Sequence, residues 1–148
     1  MESFTLEGES GYLKIIVDNV FDFPATTCYW GGYDIKANIE IQSSNFQAHY
    51  TFYSSTGELF LFYESLREMN ELLKGKVFYK NYEENIFITL TYDNYGHITI
   101  EGSLIDKNEF WSELKYEFYS DQSYIKSTLN ELEMIVKKYG GMEGVYKK

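Results

Sequence analysis

The chain is 148 residues long and carries 23 acidic against 13 basic side chains, for a net charge of −10. A chain of this length is expected to form one domain, 1–148, burying about 68–70% of its unfolded surface, so it needs no disulfide or structural metal. Arg67 is the only arginine, and direct nucleic-acid binding, which rests on clustered Lys and Arg, is not expected.

The single cysteine, Cys28, has no partner for an intrachain disulfide and fits a reducing compartment. It reads as a half-buried thiol, since no Lys, Arg or His lies nearby in sequence to activate it. The opening residues have neither a basic n-region nor an apolar stretch, and no apolar run approaches the ~20 residues that span a bilayer. A cytoplasmic protein with no membrane partner is the resulting expectation. Aromatic residues make up 19% of the chain, chiefly Tyr and Phe, which suits strands and, where exposed, interfaces.

In chain order, strands are expected first near Phe4–Leu6 and Tyr12–Val17. An irregular stretch from Val20 to Gly32 follows and holds the only proline, Pro24. Residues 34–41 then alternate, with Ile35, Ala37, Ile39 and Ile41 on one side and Asp34, Lys36, Asn38 and Glu40 on the other. Residues 46–53 repeat the pattern with Phe46, Ala48, Tyr50 and Phe52 inward. Such alternation marks antiparallel strands with one buried and one solvated face. A loop Gln42-Ser43-Ser44-Asn45 sets Ile41 opposite Phe46 and keeps both apolar sets on one side, so a hairpin is predicted.

Leu59, Phe62, Leu66, Met69 and Leu73 then step by three and four along one stripe of an amphipathic helix. Ser55 and Glu58 form a capping box at its start, and Gly75 is the expected left-handed cap at its end. A second hairpin runs through Ile86, Ile88, Leu90 and Tyr92 into Ile98, Ile100, Gly102 and Leu104. Side-chain parity requires a three-residue loop, Asn94-Tyr95-Gly96, with glycine where a type I turn plus bulge needs positive φ. A strand over roughly 110–119 points Leu114, Tyr116 and Phe118 inward. The last helix carries Ile125, Leu129, Leu132, Val136 and Tyr139, with Asp121 near its start, Lys137 and Lys138 near its end, and Gly140-Gly141 stopping it. No internal sequence repeat is visible. The order ββββαββββα predicts an α+β fold: an antiparallel β-sheet of about seven to eight strands with two α-helices packed on one face.

Little in the sequence speaks for catalysis. His49 lies on the outward phase of its strand, and His97 directly follows the turn glycine. Neither has Cys or acid partners at metal-ligand spacing, and no nucleophile elbow or phosphate loop is present. Glu83-Glu84, Glu113/Glu117 and Glu131/Glu133 are paired carboxylates, with Glu113 and Glu117 on a solvated strand phase and Glu131 and Glu133 on a helix exterior, whereas glycosidase acids need burial to raise their pKa. The protein is therefore read as a binding protein without cofactor or metal, not as an enzyme.

The outward phase of the second hairpin and its neighbouring strand is unusual. Phe87, Thr89 and Thr91 emerge beside Thr99, Glu101 and Ser103, then Trp111, Glu113, Lys115, Glu117 and Tyr119. Acids around rings resemble an interface rim around its anchors. Phe87, Glu101, Trp111, Glu113, Glu117 and Tyr119 are the candidate contacts for a basic protein. The plainer alternative packs Phe87 and Trp111 beneath a loop or the N-terminal strands. Two other functions compete: a small-molecule or carbohydrate-binding module, which needs a concave pocket lined by Tyr and Trp, and a hydrolase, which needs a buried acid beside His97.

Several runs resemble the WapI family of bacterial immunity proteins. They are Trp30-Gly31-Gly32-Tyr33-Asp34, Ser55-Thr56-Gly57-Glu58-Leu59 leading to Phe62 and Leu66, and Leu73-Lys74-Gly75-Lys76-Val77. Tyr95-Gly96-His97-Ile98 and Leu114 through Tyr124 complete the set. The resemblance implies a cytoplasmic antitoxin that binds the C-terminal toxin domain, in several cases a nuclease, of a wall-associated contact-inhibition protein. It supplies no catalytic residues. A nuclease toxin needs a basic face for its nucleic acid, and an acidic protein can occupy such a face.

Overall fold

A computed structural model describes residues 1–145. Its elements run β1 (Ser3–Glu7), β2 (Gly11–Val20), β3 (Asp34–Ser43), β4 (Phe46–Ser55), α1 (Thr56–Leu72), β5 (Gly75–Lys80), β6 (Ile86–Tyr92), β7 (His97–Asp106), β8 (Ser112–Asp121) and α2 (Gln122–Tyr139). The predicted α+β order is present throughout. The eight strands are divided, however, between two four-stranded antiparallel sheets, β1-β2-β3-β4 and β5-β6-β7-β8. The fold is thus a ββββα unit made twice, without a matching repeat in the sequence.

Both hairpins keep the predicted parity. In the first, Ile41 pairs with Ala48 and Ser43 with Phe46, so the loop shrinks to Ser44-Asn45, with Ser44 at φ 55°. Phe46 keeps its phase but overhangs the strand end in solvent instead of entering the core. In the second, Asp93 N–H donates to the His97 carbonyl at 3.0 Å. That bond closes the three-residue loop Asn94-Tyr95-Gly96 with Gly96 at φ 82°.

The inward phases of both sheets meet the helices in one continuous core. Each helix leaves its own sheet and packs against the first strand of the other: α1 against β5, α2 against β1, and the two helices against each other. Phe62 of α1 bridges the halves, its ring 6.0 Å from that of Phe4 in β1 and 5.8 Å from that of Tyr79 in β5. Burying each such side chain contributes about 1.5–3 kcal/mol. Hairpin ends complete the join. Glu9 N–H donates to the Tyr119 carbonyl at 3.1 Å, and Asn81 Nδ2 donates to the Tyr53 carbonyl at 2.8 Å.

Candidate partner-binding face

With both helices on the core side, the outer surface of the second sheet is left uncovered. Its cross-strand rows follow from the register. One row is Lys80, Phe87, Ser103 and Lys115; the next is Phe78, Thr89, Glu101 and Glu117; the third is Lys76, Thr91, Thr99 and Tyr119. Glu113 lies beyond, opposite Ile105, and Trp111 sits in the loop just before β8.

The register therefore brings Glu101, Glu113, Glu117 and Tyr119 onto one face. Glu101 and Glu117 are direct partners, Tyr119 is two residues on, and Glu113 is four back. Trp111 is 65% exposed and Tyr119 59%, so neither packs beneath a loop or the N-terminal strands. Phe87 is half-buried in its row. Lys107 holds the Trp111 loop down, its ammonium 6.0 Å from the Trp111 ring centroid and 2.9 Å from the Glu83 carbonyl.

What the phase analysis missed is the contribution of β5. This short strand alternates, with Val77 and Tyr79 buried and Lys76, Phe78 and Lys80 exposed. Phe78 is 65% exposed in the same row as Glu101 and Glu117. The lysines Lys76, Lys80 and Lys115 match Glu101, Glu113 and Glu117 in number, so this face is mixed, not uniformly acidic. Its acids are nonetheless not all neutralised. Lys115 pairs with Glu113 at 3.6 Å and Lys80 with Glu84 at 3.0 Å. Among the described residues no cation lies within 4.0 Å of Glu101 or Glu117. Like charges directly opposite in an antiparallel pair repel, and Lys115, in the neighbouring row, pairs with Glu113 instead.

The competing chemistries fare worse. His97 is exposed, and the acid beside it, Asp93 at 3.2 Å, is exposed as well. Asp93 is held below the usual carboxylate range by the Tyr95 and His97 N–H groups, the role of a turn cap. Among the described residues no three His, Cys, Asp or Glu side chains converge as metal ligands would. A groove of about 280 Å³ lies between the edges of the two sheets, lined by Ile41, Phe46, Ala48, Leu114 and Tyr116. Neither it nor the other grooves described, of about 380 to 500 Å³, is lined by a tryptophan.

The model of the immunity protein WapI-like family matches residues 4–140. The chain belongs to that family. The match spans both ββββα units, so the WapI-like assignment covers the whole open face as well as the core. WapI-like membership supports an immunity role, with a toxin protein as partner, and suggests that the protein acts by binding. No curated protein matches the chain. No helix among the described residues is long and apolar enough to cross a membrane.

A second exposed aromatic group lies where the sheets join. The loop between β2 and β3 is pinned by Tyr33, whose N–H donates to Thr56 Oγ1 at 2.8 Å and whose hydroxyl donates to the Pro24 carbonyl at 2.9 Å. Trp30 projects from this loop and stacks on Tyr82 of the β5–β6 loop, with centroids 5.4 Å apart and planes 4° apart. Tyr29 meets Trp30 edge-on at 4.9 Å. Tyr82 in turn donates its hydroxyl to Asp34 at 2.7 Å. Beside them Glu58 closes the capping box of α1, its carboxyl pushed up to about 6 chiefly by burial, against hydrogen bonds from Ser54 and the N–H groups of Tyr82 and Ser55. Burial also pushes the neighbouring Cys28 thiol up, in line with an unreactive role. No periodicity marks this group, because its members come from two loops and a helix start.

Proposed function

We propose that this protein is a cytoplasmic antitoxin. In this reading it neutralises the C-terminal toxin domain of a wall-associated contact-inhibition protein by stoichiometric binding, without catalysis or cofactor. The toxin domain is basic, as a nuclease must be where it holds nucleic acid. Phe87, Glu101, Trp111, Glu113, Glu117 and Tyr119, joined by Phe78, form the contact face.

The observation that carries this reading is the Glu101–Glu117 pair. Two carboxylates directly opposite each other repel, and among the described residues no lysine or arginine is paired with either. A partner's Lys or Arg placed between them would remove that repulsion on binding, with Trp111, Tyr119 and Phe78 as apolar anchors around it. The net charge of −10 adds long-range steering, so association slows as salt rises.

The test takes a cognate toxin domain, sought in the neighbouring gene, and titrates it with wild-type protein and with the Glu101→Gln, Glu117→Gln double variant. Wild type abolishes toxin activity at a ratio of about one to one. The double variant binds at least about tenfold more weakly, consistent with ~1.4 kcal/mol lost at the interface, yet melts no lower than wild type. Unchanged affinity in the double variant would remove this face from the reading. Intact toxin activity at excess wild-type protein would remove the antitoxin reading itself.

A further inference from the structure

The loop that bears Trp30 is held with a rigidity that an idle surface loop does not need. Cys28 N–H donates to the Gly32 carbonyl at 2.8 Å, Gly57 N–H to the Gly31 carbonyl at 3.1 Å, and Gly32 N–H to the Met142 carbonyl at 2.7 Å. Gly31 and Gly57 touch so closely that a Cβ on Gly57 would come within 2.5 Å of the Gly31 backbone. The loop is thus clamped to the start of α1, and no larger residue fits there. What the clamp presents to solvent is two rings, Tyr29 at 90% exposure and Trp30 at 45%. Rigid, exposed Tyr and Trp offer contact area at low entropic cost, as anchors of recognition surfaces do.

Charge determines what such a surface takes. Asp34 accepts the Tyr82 hydroxyl and Glu58 the Tyr82 N–H, and among the described residues no cation comes within 4.0 Å of either carboxylate. Burial chiefly, and the Asp34 carboxylate after it, push the Glu58 carboxyl up. Aromatic faces attract cations, carboxylates accept charge-assisted hydrogen bonds, and a planar guanidinium answers both at once, which a compact ammonium does less well.

We propose that Tyr29, Trp30 and Tyr82, with the carboxylates of Asp34 and Glu58, form a second docking site that accepts an arginine side chain of the partner. It rests on the antitoxin reading for the partner's identity, though not for the chemistry it recognises. The β5–β6 loop connects it to the sheet face, because Glu83 of that loop holds Lys107 beside Trp111. A toxin domain that lies on the sheet face and extends past this loop would engage both sites.

The test is made on the full chain carrying Trp111→Phe, which leaves Trp30 as the only indole. N-acetyl-arginine amide is titrated against Trp30 fluorescence, with the lysine and citrulline analogues as controls. The arginine probe gives a saturable change in the millimolar range. The lysine probe binds more weakly, and neutral citrulline binds at least about tenfold more weakly. Glu58→Gln, which retains the acceptor of the capping box, weakens arginine binding without loss of folding by circular dichroism. No saturable response, or equal responses to arginine and citrulline, would overturn the site. In the toxin titration, Trp30→Ala raises the concentration needed for neutralisation. If Trp30→Ala neutralises like wild type while the Glu101/Glu117 variant fails, the second site is wrong and the antitoxin reading stands. If wild type does not neutralise at all, the arginine titration still decides the site.

Discussion

Glu58 ties three elements together. Its carboxylate accepts the Ser54 hydroxyl at 2.8 Å and the Ser55 N–H at 3.1 Å, and Ser55 Oγ accepts the Glu58 N–H at 3.1 Å. The capping box was readable from Ser55 and Glu58 alone, since its spacing is local. The burial was not, because it comes from the β5–β6 loop folding back 24 residues later. That burial sets the sign of a pH effect. A carboxyl raised from 4.5 to about 6 in the fold binds its proton more tightly folded than unfolded. Between those values the folded state holds the extra proton, so this group's contribution to stability falls as pH rises through the window. Asp34 and Cys28 face it, and Tyr79 and Tyr82 stay neutral there because burial raises both phenols. In Glu58→Gln the effect vanishes while other titrations cancel in the comparison. The melting temperature of the variant relative to wild type should therefore be higher at pH 7 than at pH 4.5. A difference independent of pH would show that Glu58 ionises as freely in the fold as out of it.

At the scale of elements, what was legible followed from local rules. Alternation gave the strands of both hairpins, and parity required the Asn94-Tyr95-Gly96 loop, because a slip of one residue would turn the whole apolar set outward. The face bearing Glu101, Glu117 and Tyr119 followed from the same parity. The short strand β5 was too brief for its Lys76, Phe78 and Lys80 phase to stand out, so the exposed Phe78 was missed. The division into two sheets was also hidden, since pairing order depends on contacts remote in sequence. The end of α1 is a further departure. The left-handed cap is Leu73, at φ 53°, not Gly75. Gly75, two residues on, has φ 98°, a left-handed conformation that itself calls for glycine. A non-glycine residue in this conformation costs about 1–2 kcal/mol, and Leu73 is 38% exposed, so it recovers only part of that by packing. Leu73→Gly should accordingly stabilise the protein by about 0.5–1 kcal/mol after the entropy glycine adds to the unfolded chain. Chemical denaturation measures this directly, and a lower midpoint would mean that Leu73 packing outweighs backbone strain.

The molecule as a whole consists of two ββββα units that exchange helices, each helix covering the first strand of the other unit. Neither unit can close its own core, because α1 lies on β5 and α2 on β1. Phe62 touches Phe4 on one side and Tyr79 on the other, so separating the units would expose all three rings. Tyr79 also contacts the first unit through Ser54, at 2.6 Å between the two hydroxyl oxygens. This interlocking makes cooperative unfolding the expected behaviour, with no state in which one unit is folded and the other open. The chain supplies its own probes. Its two tryptophans fall one in each unit, Trp30 in the β2–β3 loop and Trp111 just before β8. The variants Trp30→Phe and Trp111→Phe each report a single unit by fluorescence, while circular dichroism follows both. Within each variant the fluorescence and circular dichroism transitions in urea should coincide in midpoint and slope. A fluorescence midpoint displaced from the circular dichroism midpoint in either variant would mean that one unit survives alone. The shared core would then be two cores in contact, and the Trp30–Tyr82 stack, which joins the two units, would be free to open.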